Sequence, residues 1–337
     1  MSPLILGLAG PVLDERERAF FREAAPAGFI LFRRNVTNRG QLRALTDALR
    51  DLAGRDDLPI LIDQEGGRVA RMRPPEWPEF PAGAAFDRLY DIAPMSAIEA
   101  MRANAQALAL MLREAGVTVD CLPLLDVRQP GAHDIIGDRA LGAEPLRVAT
   151  LGRATLEGLR AGGVVGVVKH VPGHGRALAD SHLELPVVTA DEAALETDLQ
   201  PFRSLNWAPM AMTAHVVYPA WDADRCASLS PVVIDRVVRG AIGFDGLLMS
   251  DDLGMKALAG SYAERTAGVL AAGCDVALHC SGDIDEMEAC VGAAGTIAPR
   301  ARERLEAAMA TVAGAAEAEP FADLLARRDA LLAYANG

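Results

Sequence analysis

Gly163-Val164-Val165-Gly166-Val167-Val168-Lys169-His170-Val171-Pro172-Gly173-His174-Gly175 decides the fold. The run Val164–Val168 is too short for a helix. It is apolar continuously rather than alternately, which is the pattern of a parallel strand buried on both faces. Directly after it the chain turns polar at Lys169 and His170. Pro172 and the two glycines keep that turn from becoming helical. A buried strand feeding a polar loop is the first half of a βα unit.

The unit recurs. Similar runs stand at Leu4–Leu8, Gly28–Phe32, Pro59–Ile62, Val117–Cys121, Met210–Thr213, Gly246–Met249 and Asp275–Leu278, which makes eight with the first. Helical patterns separate them. Ile98, Met101, Ala105, Leu108 and Leu112 form one apolar stripe, with Gly116 placed as a terminator. Pro145 suits a first helical turn, and Gly162-Gly163 ends that helix. Asp191-Glu192 opens another, and the segments 38–52 and 261–272 read the same way. Residues from about 284 onward are rich in alanine and glutamate, with a break expected before 315.

Eight alternating strands and helices predict a single closed (β/α)₈ barrel. A doubly wound open sheet is the rival, but no G-x-G-x-x-G follows the first strand. No Pro/Gly/Ser-rich linker divides the chain, so residues 1–337 read as one catalytic domain ending in a helical stretch, about 284–337. With the length consumed in one barrel, any proton donor is expected from the barrel's own loops.

Composition narrows the function. The 337 residues are 51% hydrophobic and carry 33 basic against 46 acidic side chains, a net charge of −13. That excludes a disordered chain and argues against a nucleic-acid partner. No run approaches ~18 apolar residues, so no membrane span is expected. Met1–Gly7 lacks a basic leader, and the five cysteines are odd in number and widely spaced without a CxxC. A reduced, cytoplasmic protein is the expectation.

A barrel places its chemistry beyond the C-terminal ends of its strands. Arg33-Arg34, Asp63 and Glu65, Asp126, Lys169-His170, His215, Asp251-Asp252 and His279 fall there. His170 and His174 cannot share a metal through helical spacing, and HExxH is absent, so no metal site is expected. Asp180 and His182 are two apart. In an extended loop they share a side, where the carboxylate can fix the imidazole's tautomer and suit it to proton donation. A loop-bracing hydrogen bond is the plainer reading of the same pair. Asp251, at the end of a buried strand, reads as a nucleophile or electrostatic stabiliser, and Asp252 as a cap for the next segment. In Asp63-Gln64-Glu65-Gly66-Gly67-Arg68-Val69-Ala70-Arg71, Asp63 can accept from a polyol and Arg71 can donate twice, or the two can pair and brace the loop. Arg139 and Lys169 add cationic donors.

Taken together, these stretches resemble glycoside hydrolase family 3. Residues 169–175 with Asp180-Ser181-His182 resemble its KHFPGHG-x₄-D-x-H signature. Residues 63–71, Met212-Thr213-Ala214-His215-Val216 and Ser250-Asp251-Asp252 also match, in order. The resemblance runs from Leu4 to about Cys280 and is closest to the bacterial β-N-acetylhexosaminidases of peptidoglycan recycling. Val171 departs from the family's usual phenylalanine.

The resemblance implies retaining hydrolysis of terminal β-linked N-acetylglucosamine (GlcNAc) by a barrel enzyme without metal or organic cofactor. Asp251 would be the nucleophile, and His182, oriented by Asp180, the proton donor and then the base. Asp63, Arg71, Arg139, Lys169 and His170 would hold the sugar, with His215 close by. The partner would be a small carbohydrate, GlcNAc–1,6-anhydro-MurNAc with or without peptide. Rival expectations are a family 3 β-glucosidase or β-xylosidase, a β-GlcNAc phosphorylase, and a sugar-binding barrel without catalysis.

Overall fold

Each apolar run forms a strand whose two faces enter two different cores. The computed structural model describes residues 1–181, 183–314 and 319–335. In chain order its strands are β1 (Ser2–Leu6), β2 (Pro26–Leu31), β3 (Ile60–Ile62), β4 (Val119–Asp120), β5 (Val165–Val171), β6 (Met210–Thr213), β7 (Val217–Tyr218), β8 (Asp222–Cys226), β9 (Leu247–Asp252) and β10 (Val276–His279). Eight are parallel and close into a barrel. They pair in chain order, β6 lies beside β9, and β10 seals against β1. β7 and β8 form a separate antiparallel pair, which the sequence reading did not anticipate.

Alternate residues of each barrel strand divide between the cores. Ile5, Ile30, Leu61, Val167, Met210, Met249 and Leu278 fill the inside of the barrel. Leu4, Phe29, Ile60, Val168, Ala211, Leu248 and Ala277 pack outward against the helices. Because both faces are apolar, alternation alone does not fix the register. The polar residues at the strand ends do: a one-residue slip would turn Asp63, Lys169 and Asp251 into the apolar outer layer, where unpaired charge is costly.

The helices are α1 (Glu15–Ala24), α2 (Arg39–Ala53), α3 (Gly83–Ile92), α4 (Pro94–Glu114), α5 (Pro145–Ala161), α6 (Glu192–Ser204), α7 (Tyr262–Ala272), α8 (Ile284–Ala294), α9 (Pro299–Ala310) and α10 (Phe321–Leu332). Their starts follow local chemistry. Asn38, Asp191 and Ser261 cap α2, α6 and α7 by accepting from the third residue onward, and Pro145 opens α5. Gly295, at φ 65°, separates α8 from α9. Ile297, Ala301, Leu305 and Ala308 then join the inner core. The anticipated tail therefore includes a helix that packs against the barrel interior. None of the helices is long and apolar enough to cross a membrane.

Two strands outrun their apolar segments. β5 continues through Lys169 and His170 because Val171 still pairs with Thr213. β9 reaches Asp252 because Asp252 pairs with Leu278. These polar residues belong to the strands and do not follow them, which corrects the sequence expectation.

Candidate active site

The same alternation brings the polar residues together. Asp63, Lys169 and Asp251 each lie two positions beyond an inward residue: Leu61, Val167 and Met249. They therefore extend the inner face to the barrel mouth. There they line a cavity of about 250 Å³ floored by Ile30, Met212 and Leu278. Arg71, Arg139 and His170 line it too.

Lys169 is the hub. Its ammonium lies 3.0 Å from Asp63 Oδ1 and 2.8 Å from Glu65 Oε1, with the side chain only 2% exposed. Arg71 Nη2 donates to Asp63 Oδ2 at 3.0 Å, and its guanidinium lies over the Phe32 ring. Arg139 grips Glu65 with two parallel bonds, Nε to Oε2 at 2.7 Å and Nη2 to Oε1 at 2.8 Å. Burial by itself would raise both carboxyls. Lys169 and Arg71 outweigh it and hold Asp63 well below the usual carboxylate range. Lys169 and Arg139 hold Glu65 at about 2. Burial likewise opposes the Lys169 charge, yet Glu65 and Asp63 raise its pKa above the ordinary lysine value. Three cations facing two carboxylates leave a net positive, hydrogen-bonding wall. Asp63 and Arg71 close the ion pair, and both line the cavity.

Gly66 permits this wall. At φ 100° its backbone approaches Pro81 so closely that a Cβ would lie 2.3 Å from the Pro81 carbonyl oxygen. The sequence reading places Glu65 at the barrel mouth and gives it no role. Its signal was present, because it continues the alternation from Asp63.

Asp126 was also left without a role. It is fully buried after β4. Its Oδ2 meets His170 Nδ1 at 2.8 Å, and its Oδ1 accepts from the His174 and His170 amides at 2.7 and 3.2 Å. Burial pushes its pKa up, but His170 and His174 outweigh this and lower it. The interaction fixes the ring of His170, which lines the cavity. A carboxylate inside Leu124-Leu125-Asp126-Val127 was the available signal, since such burial demands partners. His174 is buried and pushed down to about 4, first by burial and then by His170. Its Nε2 lies 3.3 Å from Ser181 Oγ.

Ser181 brings the loop after β5 back to the cavity wall, and its carbonyl accepts from the Ala257 amide. Asp180, beside it, closes a turn by accepting from the Leu183 and Glu184 amides. His182 lies outside the described residues.

Asp251 occupies the opposite wall. The Asp252 amide donates to its Oδ1 at 2.8 Å. Asp252 does not cap a helix, as expected from its position. Its Oδ1 instead accepts from Gly254 and Cys280, bracing the end of β9 against β10, and α7 is capped by Ser261. His215, expected near the site, is fully buried behind Asp252 and is absent from the cavity lining. Among the described residues no group of three or more His, Cys, Asp or Glu side chains could hold a metal ion.

A (β/α)₈ barrel whose C-terminal mouth opposes a strand-end carboxylate to a wall of cationic hydrogen-bond donors is a frame that suits a glycoside hydrolase. The chain belongs to glycosyl hydrolase family 3, whose N terminal domain matches residues 12–314. A beta-hexosaminidase of Alkalilimnicola ehrlichii is 41% identical over 286 residues, 83% of this chain and 81% of that protein. The Bordetella avium beta-hexosaminidase is 38% identical over 285 residues, with the same coverages. The crystal structure of NagZ from Neisseria gonorrhoeae in complex with N-trifluoroacetyl-D-glucosamine superposes with a TM-score of 0.88 at 32% identity, covering 98% of both chains. The enzyme is thus a glycosidase of the β-N-acetylhexosaminidase type.

Proposed function

We propose that this glycosidase removes terminal β-linked GlcNAc, with retention, from peptidoglycan fragments, namely GlcNAc–1,6-anhydro-MurNAc with or without peptide. The observation that carries the reading is the single cavity in which Asp251 faces the Lys169-centred wall. Its volume of about 250 Å³ is below the ~300 Å³ where sites for drug-sized ligands begin, which suits one sugar ring and exo cleavage. Residues 1–337 act as one catalytic domain. All five cysteines are free and buried, which suits work in the reducing cytoplasm.

Asp251 attacks the anomeric carbon while the bond to the aglycone oxygen breaks. His182, oriented by Asp180, gives that oxygen its proton. Neutral His182 then takes a proton from water, whose oxygen attacks the same carbon and releases Asp251. Two inversions give net retention. Asp63, Arg71, Arg139, Lys169 and His170 hold the hydroxyls and the N-acetyl group.

Trapping with a 5-fluoro β-GlcNAc derivative tests the assignment. The label should map to the peptide carrying Asp251, and a label elsewhere removes Asp251 from the role. A clear preference for p-nitrophenyl β-glucoside over the β-GlcNAc substrate would overturn the aminosugar reading. His182→Ala should cost about 10²–10⁴-fold on substrates with poor leaving groups and much less on activated aryl glycosides, which need little acid assistance. Equal losses on both would count against His182 as the acid.

A further inference from the structure

His215 lies two residues past the end of β6, shares Ser228 as a partner with Thr213, and reaches the Asp252 carbonyl on β9 without lining the cavity. Its ring joins two named partners. Nδ1 lies 2.8 Å from Ser228 Oγ and Nε2 lies 3.0 Å from the Asp252 carbonyl oxygen. Thr213 Oγ1 lies 2.7 Å from the same Ser228 oxygen. Thr213, His215 and Ser228 are all fully buried.

The protons in this chain can be counted. A carbonyl oxygen only accepts, so Nε2 carries hydrogen. Burial lowers the His215 pKa despite the nearby Asp251 and Asp252 charges, which keeps the ring neutral at pH 7. Nδ1 is then an acceptor, and its donor is Ser228. The Ala214 carbonyl, 3.0 Å from Ser228 Oγ, is the alternative acceptor for that single proton. Only donation to His215 leaves no buried ring nitrogen unsatisfied. Thr213 then donates to Ser228. The chain runs in one direction, from β6 to the Asp252 carbonyl.

Asp252 is held at its other end as well, since its amide donates to Asp251 Oδ1. We propose that His215, held as its Nε2–H tautomer by the Asp252 carbonyl and anchored at Nδ1 by Ser228, is a positioning residue that sets the orientation of the Asp251 carboxylate through the Asp252 backbone. The proposal rests on Asp251 being the nucleophile. His215 itself touches no substrate. It fixes the residue whose amide holds the attacking group, and a misplacement of ~1 Å there costs on the order of 100-fold in rate.

The test combines ¹⁵N-histidine NMR with kinetics on Ser228→Ala. In the wild type, His215 should be the neutral Nε2–H tautomer. Without the Ser228 donor the ring should stay Nε2–H, because the Asp252 carbonyl still requires that proton, while the Nδ1 resonance moves toward that of an unbonded imidazole nitrogen as the ring loses its anchor. The rate of covalent trapping and kcat should fall about 100-fold, with KM within about twofold because uniform binding is untouched. Ser228→Thr, which keeps the hydroxyl, should restore both the Nδ1 resonance and the rate.

A wild-type Nδ1–H tautomer overturns the proposal, and that measurement needs no variant to fold. So does a Ser228→Ala enzyme whose Nδ1 resonance moves while its trapping rate does not. A trapped label on a residue other than Asp251 overturns the nucleophile reading, and the proposal with it. A label on Asp251 with unaltered Ser228→Ala kinetics overturns the proposal alone.

Discussion

Asp251→Ala is expected to lower kcat on an aryl β-N-acetylglucosaminide by at least about 10⁴-fold, the scale on which removing a nucleophile acts when other groups depend on it. KM should change little, because the wall built on Lys169, Asp63 and Glu65 stands across the cavity and is untouched. The stereochemistry of rescue gives the sharper reading. Alanine shortens the side chain and opens the face from which Asp251, as the proposed nucleophile, would attack. Azide added to the variant should enter there, displace an activated aryl group in one step and yield the α-glycosyl azide. The aryl oxygen leaves with the bonding electrons, and azide supplies the pair for the new bond to carbon. A β-azide product, or turnover within about tenfold of wild type, would remove Asp251 from the nucleophile's place. Thermal unfolding of the same preparation separates this loss from misfolding.

The sequence was most informative about the barrel because its strands sit in runs that are mostly apolar on both faces, and eight such runs have few ways to be buried together. Alternation could have gone further. Carried two residues past Val167 and Met249, it turns Lys169 and Asp251 inward. It stops there, because His170 beside Lys169 also lines the cavity and Ala214 and Val216 on either side of His215 both lie in the outer core. Strand ends were harder to read, since β5 and β9 continue through charged residues that pay for burial with ladder bonds and ion pairs across the mouth. Partners far apart in the chain were out of reach. Nothing near Asp126 indicates that it orients His170, 44 residues away. Arg139 and Glu65 are 74 residues apart, and only the closed fold brings them to 2.7 Å.

Lys169→Met is expected to destabilise the fold by about 3–5 kcal/mol at pH 7, the usual cost of removing one partner from a buried ionic cluster. Methionine keeps the apolar stem and removes the charge that two carboxylates share. Burial, the largest influence on both Asp63 and Glu65, already pushes their pKa values up, and Lys169 is the strongest opposing charge for each. Arg71 and Arg139 alone would remain. In the wild type both folded-state values are depressed, so this contribution is fully present above the unfolded carboxylate range near ~4. For Glu65 it is lost as pH falls through about 2. In the variant the balance moves toward burial, the carboxyls take up protons at higher pH, and protonation relieves the unpaired charge. The gap between wild type and variant should therefore narrow as pH falls from 7 toward ~4.5, while wild-type stability from these two groups stays nearly constant. Urea unfolding at the two pH values measures this. A gap below about 1 kcal/mol at pH 7 would mean that Lys169 is dispensable to the wall. A gap that does not narrow would mean that the two carboxylates stay charged without it, with Arg71 and Arg139 alone sufficient to hold the binding wall in place.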